Sequence, residues 1–527
     1  MVWNPRKNPG FSRFYTYKPV KPCRNAPPMT HTAYTLLERQ FRRVARLGEA
    51  AAVLNWDRAA MMPKGGAHAR AEQLAELHAL KRGLLAAPGM DERLAAAEAD
   101  RSLDSWQRAN VFEMRRTWMH ATALSEDLVM ALTRATSTYE TIWRSARADA
   151  DFAAVLPAFE TVLELVREAA GTKADALGLS PYDALLDEYE PGARAADIDR
   201  IFAELARELP PIVARALERQ KTRVPPIPLE GTFPAERQRE LAQKLMAALG
   251  FDFAHGRLDV SAHPFCGGVP DDIRLTTRYD ESDFASGLMS TLHETGHAIY
   301  EMGLPAAWRG QPVGEARSMS LHESQSLLIE MQVCRSREFF AFLAPMCGEF
   351  FGRRGPAWTP ANLHARATRV RPGFIRVDAD EVTYPLHVIL RHRLEQAMLT
   401  GDLRARDLPQ AWSEGMIRHL GLAPPSDREG CLQDIHWYDG AWGYFPSYTL
   451  GAMTAAQLYA AARRALPDLA QEIAQGKFAP LIAWLGEHVH ARAASVSTGE
   501  IVAAATGRPL DASDFLAHLR ARYLGEN

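Results

Sequence analysis

The chain has 527 residues, 47% of them hydrophobic and 24% charged, which is enough for a large core and ordinary for a globular enzyme. Its formal net charge of −3 gives no basic field to draw in nucleic acid or an anionic membrane surface, so neither is an expected partner. No stretch approaches the roughly 18 consecutive apolar residues of a membrane-spanning helix.

Residues 1–28 carry six basic side chains, no acidic ones and six prolines, without the apolar run of a signal peptide. They read as a disordered extension, with Met29 as an alternative start and residues 29–527 as a single unit. From Met29 the sequence turns rich in Ala, Leu, Arg and Glu at helical spacing. Leu36, Leu37, Phe41, Val44 and Leu47 share one stripe; Leu74, Leu77, Leu80 and Leu84–Leu85 share another. Helices are predicted over roughly 104–147, 151–176, 196–221, 234–248, 283–302, 317–345, 378–400 and 453–465. Loops marked by Pro and Gly separate them, among them 225–228, 264–270 and 352–360. The clearest strand is Ile273 to Tyr279, with β-branched Thr276 and Thr277, read as an edge to which a substrate backbone adds. The class is mainly α. Five cysteines (Cys23, Cys266, Cys334, Cys347, Cys431) are odd in number and lack a C-x-x-C pair, which fits a reducing compartment, the cytoplasm.

The chemistry centres on Leu292-His293-Glu294-Thr295-Gly296-His297-Ala298, an H-E-x-x-H. Residues four apart lie on one helix face, so two imidazoles converge on one ion and the intervening Glu sits beside its water. Ser282 or Asp283 suits the N-cap; Phe284, Leu288, Leu292 and Ile299 form the apolar stripe; Gly303 suits the C-terminal cap. A catalytic zinc needs a third protein ligand. The metzincin continuation is closed, because Tyr300 and Gly303 stand where Gly and His would be. Glu301 lies about two turns from His293, too far along the axis. Glu315, Glu323 and Glu330 remain, and Glu323 is favoured because His322-Glu323-Ser324-Gln325 is a polar patch in a largely apolar helix.

Several further motifs accompany these: His263-Pro264-Phe265; Asp272-Ile273-Arg274-Leu275-Thr276; Ile375-Arg376-Val377-Asp378-Ala379-Asp380; and Gly430-Cys431-Leu432-Gln433-Asp434-Ile435-His436-Trp437. With Trp56-Asp57, the segment 61–66 and Gly443 to Gly451, the chain after residue 29 resembles the carboxypeptidase Taq family of thermostable metallocarboxypeptidases. The resemblance implies metal ligands His293, His297 and Glu323, with Glu294 catalytic. It implies a large helical two-lobed body around a deep groove with a small β-sheet near the metal, similar to neurolysin-like gluzincins. It further implies a homodimer using Zn2+ or Co2+ on peptide substrates, with 29–527 as one catalytic domain. One departure is local: the family often has His-Gly-Ser near 487–495, whereas His490 is followed here by Ala491 and Arg492.

A carboxypeptidase must recognise a terminal carboxylate, which calls for a fixed cation or imidazolium. Arg274, Arg376 and His436 are the candidates, with Asp378 and Asp380 as partners that hold Arg376. The tract Trp437 to Tyr448 offers Tyr438, Tyr444 and Tyr448 as donors to an oxyanion, or else as a packed aromatic cluster. His387 and His392 share no helix face and read as structural or surface residues. The rival activities are an oligopeptidase cutting internal bonds and a non-catalytic scaffold; the intact Glu294 weighs against the scaffold.

Overall fold

The computed structural model describes residues 32–526. The basic, Pro-rich stretch 1–28, Met29 and Cys23 lie outside the described residues. The helical stripes form where their periodicity puts them, and half of the α-helices among the described residues start on a side-chain cap. The first half is α1 (Ala33–Ala60), α2 (Ala67–Leu85), α3 (Met90–Glu98), α4 (Ser105–Thr122), α5 (Glu126–Asp149), α6 (Phe152–Leu177), α7 (Pro181–Leu186), α8 (Ala195–Lys221) and α9 (Ala235–Ala248). The stretch read as one helix over 104–147 divides in two. Asp104 and Gln107 close a capping box on α4, and Ser125 caps α5 by accepting from Leu128 N.

Three strands follow: β1 (Gly256–Val260), β2 (Phe265–Val269) and β3 (Asp272–Thr277). Their order is β1-β3-β2, with β1 parallel and β2 antiparallel to β3. This corrects the sequence reading twice. The segment expected as an edge is the central strand, and β2 falls inside 264–270, which its prolines and glycines marked as loop. Gly268 turns this hairpin at φ 87°; a Cβ there would lie 2.2 Å from Asp272 O.

The second half is α10 (Phe284–Gly303), α11 (Met319–Leu327), a π-helical turn over Leu328–Val333, α12 (Arg337–Phe351), α13 (Pro360–Ala367), α14 (Tyr384–Thr400), α15 (Leu408–Leu420), α16 (Pro446–Ala465), α17 (Leu469–Ala474), α18 (Ala479–His488), α19 (Thr498–Thr506) and α20 (Ser513–Leu519). The fold is mainly α with one small sheet. One apolar core packs β1, β3, α9, α10 and α12 around Leu245, Leu275, Leu292 and Phe339. A second gathers Phe159, Trp412, Trp437 and Trp442 around α6, α14 and α15. Among the described residues, no helix is long and apolar enough to cross a membrane.

Glycines set the spacing at the centre of the molecule. At Gly296 a Cβ would meet Gln325 O at 2.5 Å and Ser326 Cα at 2.6 Å, so α10 and α11 touch backbone to backbone. At Gly451, on α16, a Cβ would lie 2.8 Å from both Cβ and Cγ of Glu323. Helix α11 is therefore held from two sides through positions that admit no side chain. Gly303 is not the cap expected of it: it is the last residue of α10, Leu304 is the cap, and His490 packs 2.5 Å from where a Gly303 Cβ would be.

Candidate metal centre

Helix α10 starts at Asp283, whose carboxylate accepts from Ala285 N, and it buries Phe284, Leu288, Leu292 and Ile299. Thr291 Oγ1 donates to Thr277 Oγ1 at 3.0 Å and so fixes the helix to β3. His293 and His297 then face α11, their ring centroids 5.0 Å apart.

Helix α11 is positioned by a segment that sequence reasoning passed over, residues 187–192. Glu190, 3% exposed, accepts from Ser320 N at 2.5 Å and Ser320 Oγ at 2.6 Å, while Tyr189 O accepts from Met319 N. Asp187 in the same segment pairs with Arg116 at 3.0 Å. The available signal was an acidic run, Asp187-Glu188-Tyr189-Glu190, ending in Pro191-Gly192.

Glu323 Oε2 comes to 3.3 Å from His297 Nε2 and 3.6 Å from His293 Nε2, and the three donor atoms lie within 4.8 Å of one another. Tetrahedral zinc with bonds near 2.0–2.1 Å separates its ligands by about 3.3 Å, so this donor set fits such an ion. Charge agrees with geometry. Glu294, Glu323, Glu330 and Glu301 surround the three imidazoles of His293, His297 and His322, and the guanidinium paired there is Arg335. Burial alone would lower the His293 imidazole, but Glu323, Glu330 and Glu294 outweigh it and lift it to about 10. Burial, reinforced by Glu323 against the pull of His293, pushes Glu294 up to about 7; it is 8% exposed.

The other candidate carboxylates take different places. Glu330, in the π turn and seven residues after Glu323, stands behind His293: its Oε2 is 3.0 Å from His293 Nδ1, and its Oε1 accepts from Arg335 at 2.7 Å. Glu315 precedes α11 outside the trio and is pushed up to about 7 by burial.

The expected substrate cations are both already paired. Arg274 donates to Asp272 at 2.6 Å and 3.0 Å and stacks over Trp56 at 4.3 Å. Arg376 is held by Asp434, not by Asp378 or Asp380: Nε and Nη2 reach its carboxylate at 3.0–3.3 Å. Asp380 instead accepts from the backbone amides of Arg371, Val382 and Thr383. Asp434 also receives Arg391 Nη1 at 3.0 Å, so two guanidiniums share one carboxylate. Arg376 Nη1 donates to the Tyr384 hydroxyl at 3.2 Å, a contact sequence reasoning missed. His436 Nε2 lies 3.2 Å from the Tyr448 hydroxyl; burial and the field of Arg391 lower its imidazole to about 3. Tyr444 stacks on His436, and Tyr444, Tyr448 and Tyr384 all feel the charge of Glu323. Tyr438 does not join them. It is 1% exposed in the aromatic core, donating to Cys431 O. His392 is structural, buried between Tyr182 and Asp199, and His387 is buried too. His490 is closer to the centre than its place in the sequence suggested: Nε2 lies 3.0 Å from Gln325 Oε1.

Against known proteins, the profile of the carboxypeptidase Taq (M32) metallopeptidases matches residues 36–523. A thermostable carboxypeptidase 1 of Thermus thermophilus is 39% identical over 503 residues, covering 93% of this chain and 97% of that protein. The solved structure of Trypanosoma cruzi metallocarboxypeptidase 1 superposes with a TM-score of 0.91 at 40% identity, covering 93% of this chain and 99% of that one. An M32 carboxypeptidase from Deinococcus radiodurans R1 does so with a TM-score of 0.89 at 35% identity, covering 93% and 98%.

Proposed function

The chain belongs to the carboxypeptidase Taq (M32) metallopeptidases, and from that premise we propose that it releases single C-terminal residues from peptides with Glu294 as general base. His293, His297 and Glu323 hold the ion in this reading, zinc with cobalt as a substitute. The observation that carries it is the donor triangle of His293, His297 and Glu323 with the buried Glu294 carboxylate one residue along from His293. A bound divalent ion supplies Lewis acidity and lowers the pKa of a water to about 7. Glu294 takes the water's proton and passes it to the departing amine nitrogen. The terminal carboxylate is received through the Nη1 edge of Arg376, beside the Tyr384 hydroxyl and the Tyr448 ring. Tyr384, Tyr444 or Tyr448, all of which feel the charge of Glu323, supplies the hydrogen bond to the oxyanion.

Broad specificity, one catalytic domain over 29–527 built as two lobes around a groove, homodimeric assembly and a cytoplasmic location belong to the same proposal. Cys266, Cys334, Cys347 and Cys431 are all free, in keeping with a reducing compartment. The oligopeptidase alternative needs no carboxylate-reading cation, and the pairing of Arg274 with Asp272, which already answers that charge, is the observation on its side. Mass spectrometry of a peptide and its C-terminally amidated twin, with chelator or with added zinc or cobalt, separates the two. A ladder from the free C-terminus that chelator stops is expected. Internal cuts in both peptides would install the oligopeptidase.

A further inference from the structure

His322 and Glu301 are left without a task by the reaction above. His322 immediately precedes Glu323 on α11, yet its ring turns away from the donor triangle: Nδ1 lies 2.6 Å from His297 Nδ1, and Nε2 lies 2.8 Å from Glu301 Oε1. The Tyr300 ring stands edge-on to it at 5.4 Å and fixes its plane. Glu301, one turn beyond His297 and too distant to be a ligand, is paired among the described residues with His322 alone.

We propose that His322 and Glu301 form a positioning relay that fixes His297 as a metal ligand; the inference rests on the metal reading above. Two Nδ1 atoms 2.6 Å apart share one proton. With Nε2 of His297 given to the ion, that ring carries its proton on Nδ1 and donates it to His322 Nδ1. The proton of His322 then sits on Nε2 and is donated to the Glu301 carboxylate. No other arrangement of two neutral rings satisfies all four nitrogens. His293 is braced differently, by Glu330 directly, and that carboxylate is closed off by Arg335. The two ligand histidines thus have separate outer supports: a buried ion pair for His293, and an imidazole ending on a carboxylate 27% exposed for His297.

The test uses equilibrium and chelator-stripping measurements with Co2+ alone, the cobalt visible spectrum, and the melting temperature of the metal-free protein. His322→Leu should weaken Co2+ binding about ten- to a hundred-fold and shift the spectrum. Glu301→Ala, at a partly exposed site, should weaken it less. The double variant should bind no more weakly than His322→Leu, because Glu301 acts through His322. His322→Gln, whose amide accepts on one side and donates on the other, should restore part of the loss. Binding by His322→Leu within about twofold of the parent would overturn the relay, as would a double variant that loses both effects in full. A change in melting temperature with unmoved affinity and spectrum would also overturn it, leaving a packing role. Should His297→Ala bind Co2+ as well as the parent, the metal reading itself falls, and the relay with it.

Discussion

The metal helices and the Arg376–Asp434–Arg391 cluster carry opposite surpluses of charge. Around His293, His297 and Glu323, carboxylates outnumber the guanidinium that answers them, and their field raises the His293 imidazole. Around Asp434, two buried guanidiniums share one carboxylate, with Glu395 adding its field at Arg391, and the neighbouring His436 imidazole is lowered. An excess of carboxylates suits a cation, and buried guanidiniums suit an anion. In the function proposed above, a peptide's C-terminal end uses both, with its scissile carbonyl at the cation and its carboxylate at the arginines. The difference between the clusters can be broken from either side.

The largest expected effect is at Glu294. Glu294→Gln keeps the shape and cannot take the proton, so turnover should fall about 100- to 10,000-fold with metal content unchanged by elemental analysis. Activity within a few-fold of the parent would remove it as the base. Next comes Asp434→Asn, which leaves Arg376 and Arg391 without their anion and should cost about 3–5 kcal/mol at pH 7, read by urea unfolding. Burial alone would raise the Asp434 carboxyl, but the two guanidiniums outweigh that and hold it well below the ordinary carboxylate range. A depressed group stabilises above its unfolded pKa of about 3.9 and loses that contribution as pH falls toward its folded value. The gap between parent and variant should therefore be flat from pH 7 to about 5 and shrink below about 4, by up to roughly 1.4 kcal/mol per pH unit. A gap equally wide at pH 3 would contradict the pairing. Third, Arg376→Ala should cost about ten- to a hundred-fold in kcat/KM on free-carboxylate peptides and little on amidated ones. Equal losses on both would take the carboxylate away from Arg376.

The two clusters also differ in how far the sequence discloses them. The metal side is local: His293 and His297 sit four apart on one helix, where periodicity projects them to a shared face, and Glu323 and Glu330 sit seven apart on the next helix and the π turn that continues it. The arginine side is not local. Arg376 meets Asp434 from 58 positions away, whereas its neighbours Asp378 and Asp380 suggested a nearer partner. Glu190 reaches Ser320 across 130 positions. Strand β2 was hidden by Gly267 and Gly268, whose β-propensity is poor and whose pairing with β3 is tertiary. Gly303 carried a plausible local explanation as a cap, while the contact that requires glycine there comes from His490.

The smallest expected effect sharpens the comparison on the metal side, where position and not charge is at stake. Gly451 lies on α16 against Cβ and Cγ of Glu323; a change of χ1 moves Cγ and the carboxylate but leaves Cβ in place. Gly451→Ala must therefore shift α11 relative to α16 or push Glu323 off its ligand position. Overpacking of this kind costs about 1–3 kcal/mol. If the strain is taken up by Glu323, Co2+ affinity should fall by about tenfold or more while the metal-free protein melts only a little lower. If the helices separate instead, the melting temperature should fall and affinity should hold. Gly486→Ala and Gly499→Ala, where a Cβ meets nothing within 4 Å, serve as controls for the substitution itself. The first outcome is expected, because α11 is pinned on its other face by the backbone contact at Gly296 and at its N-terminus by Glu190, leaving the Glu323 side chain as the part free to yield. Unchanged affinity in Gly451→Ala would show that the approach of α16 does not position the third ligand.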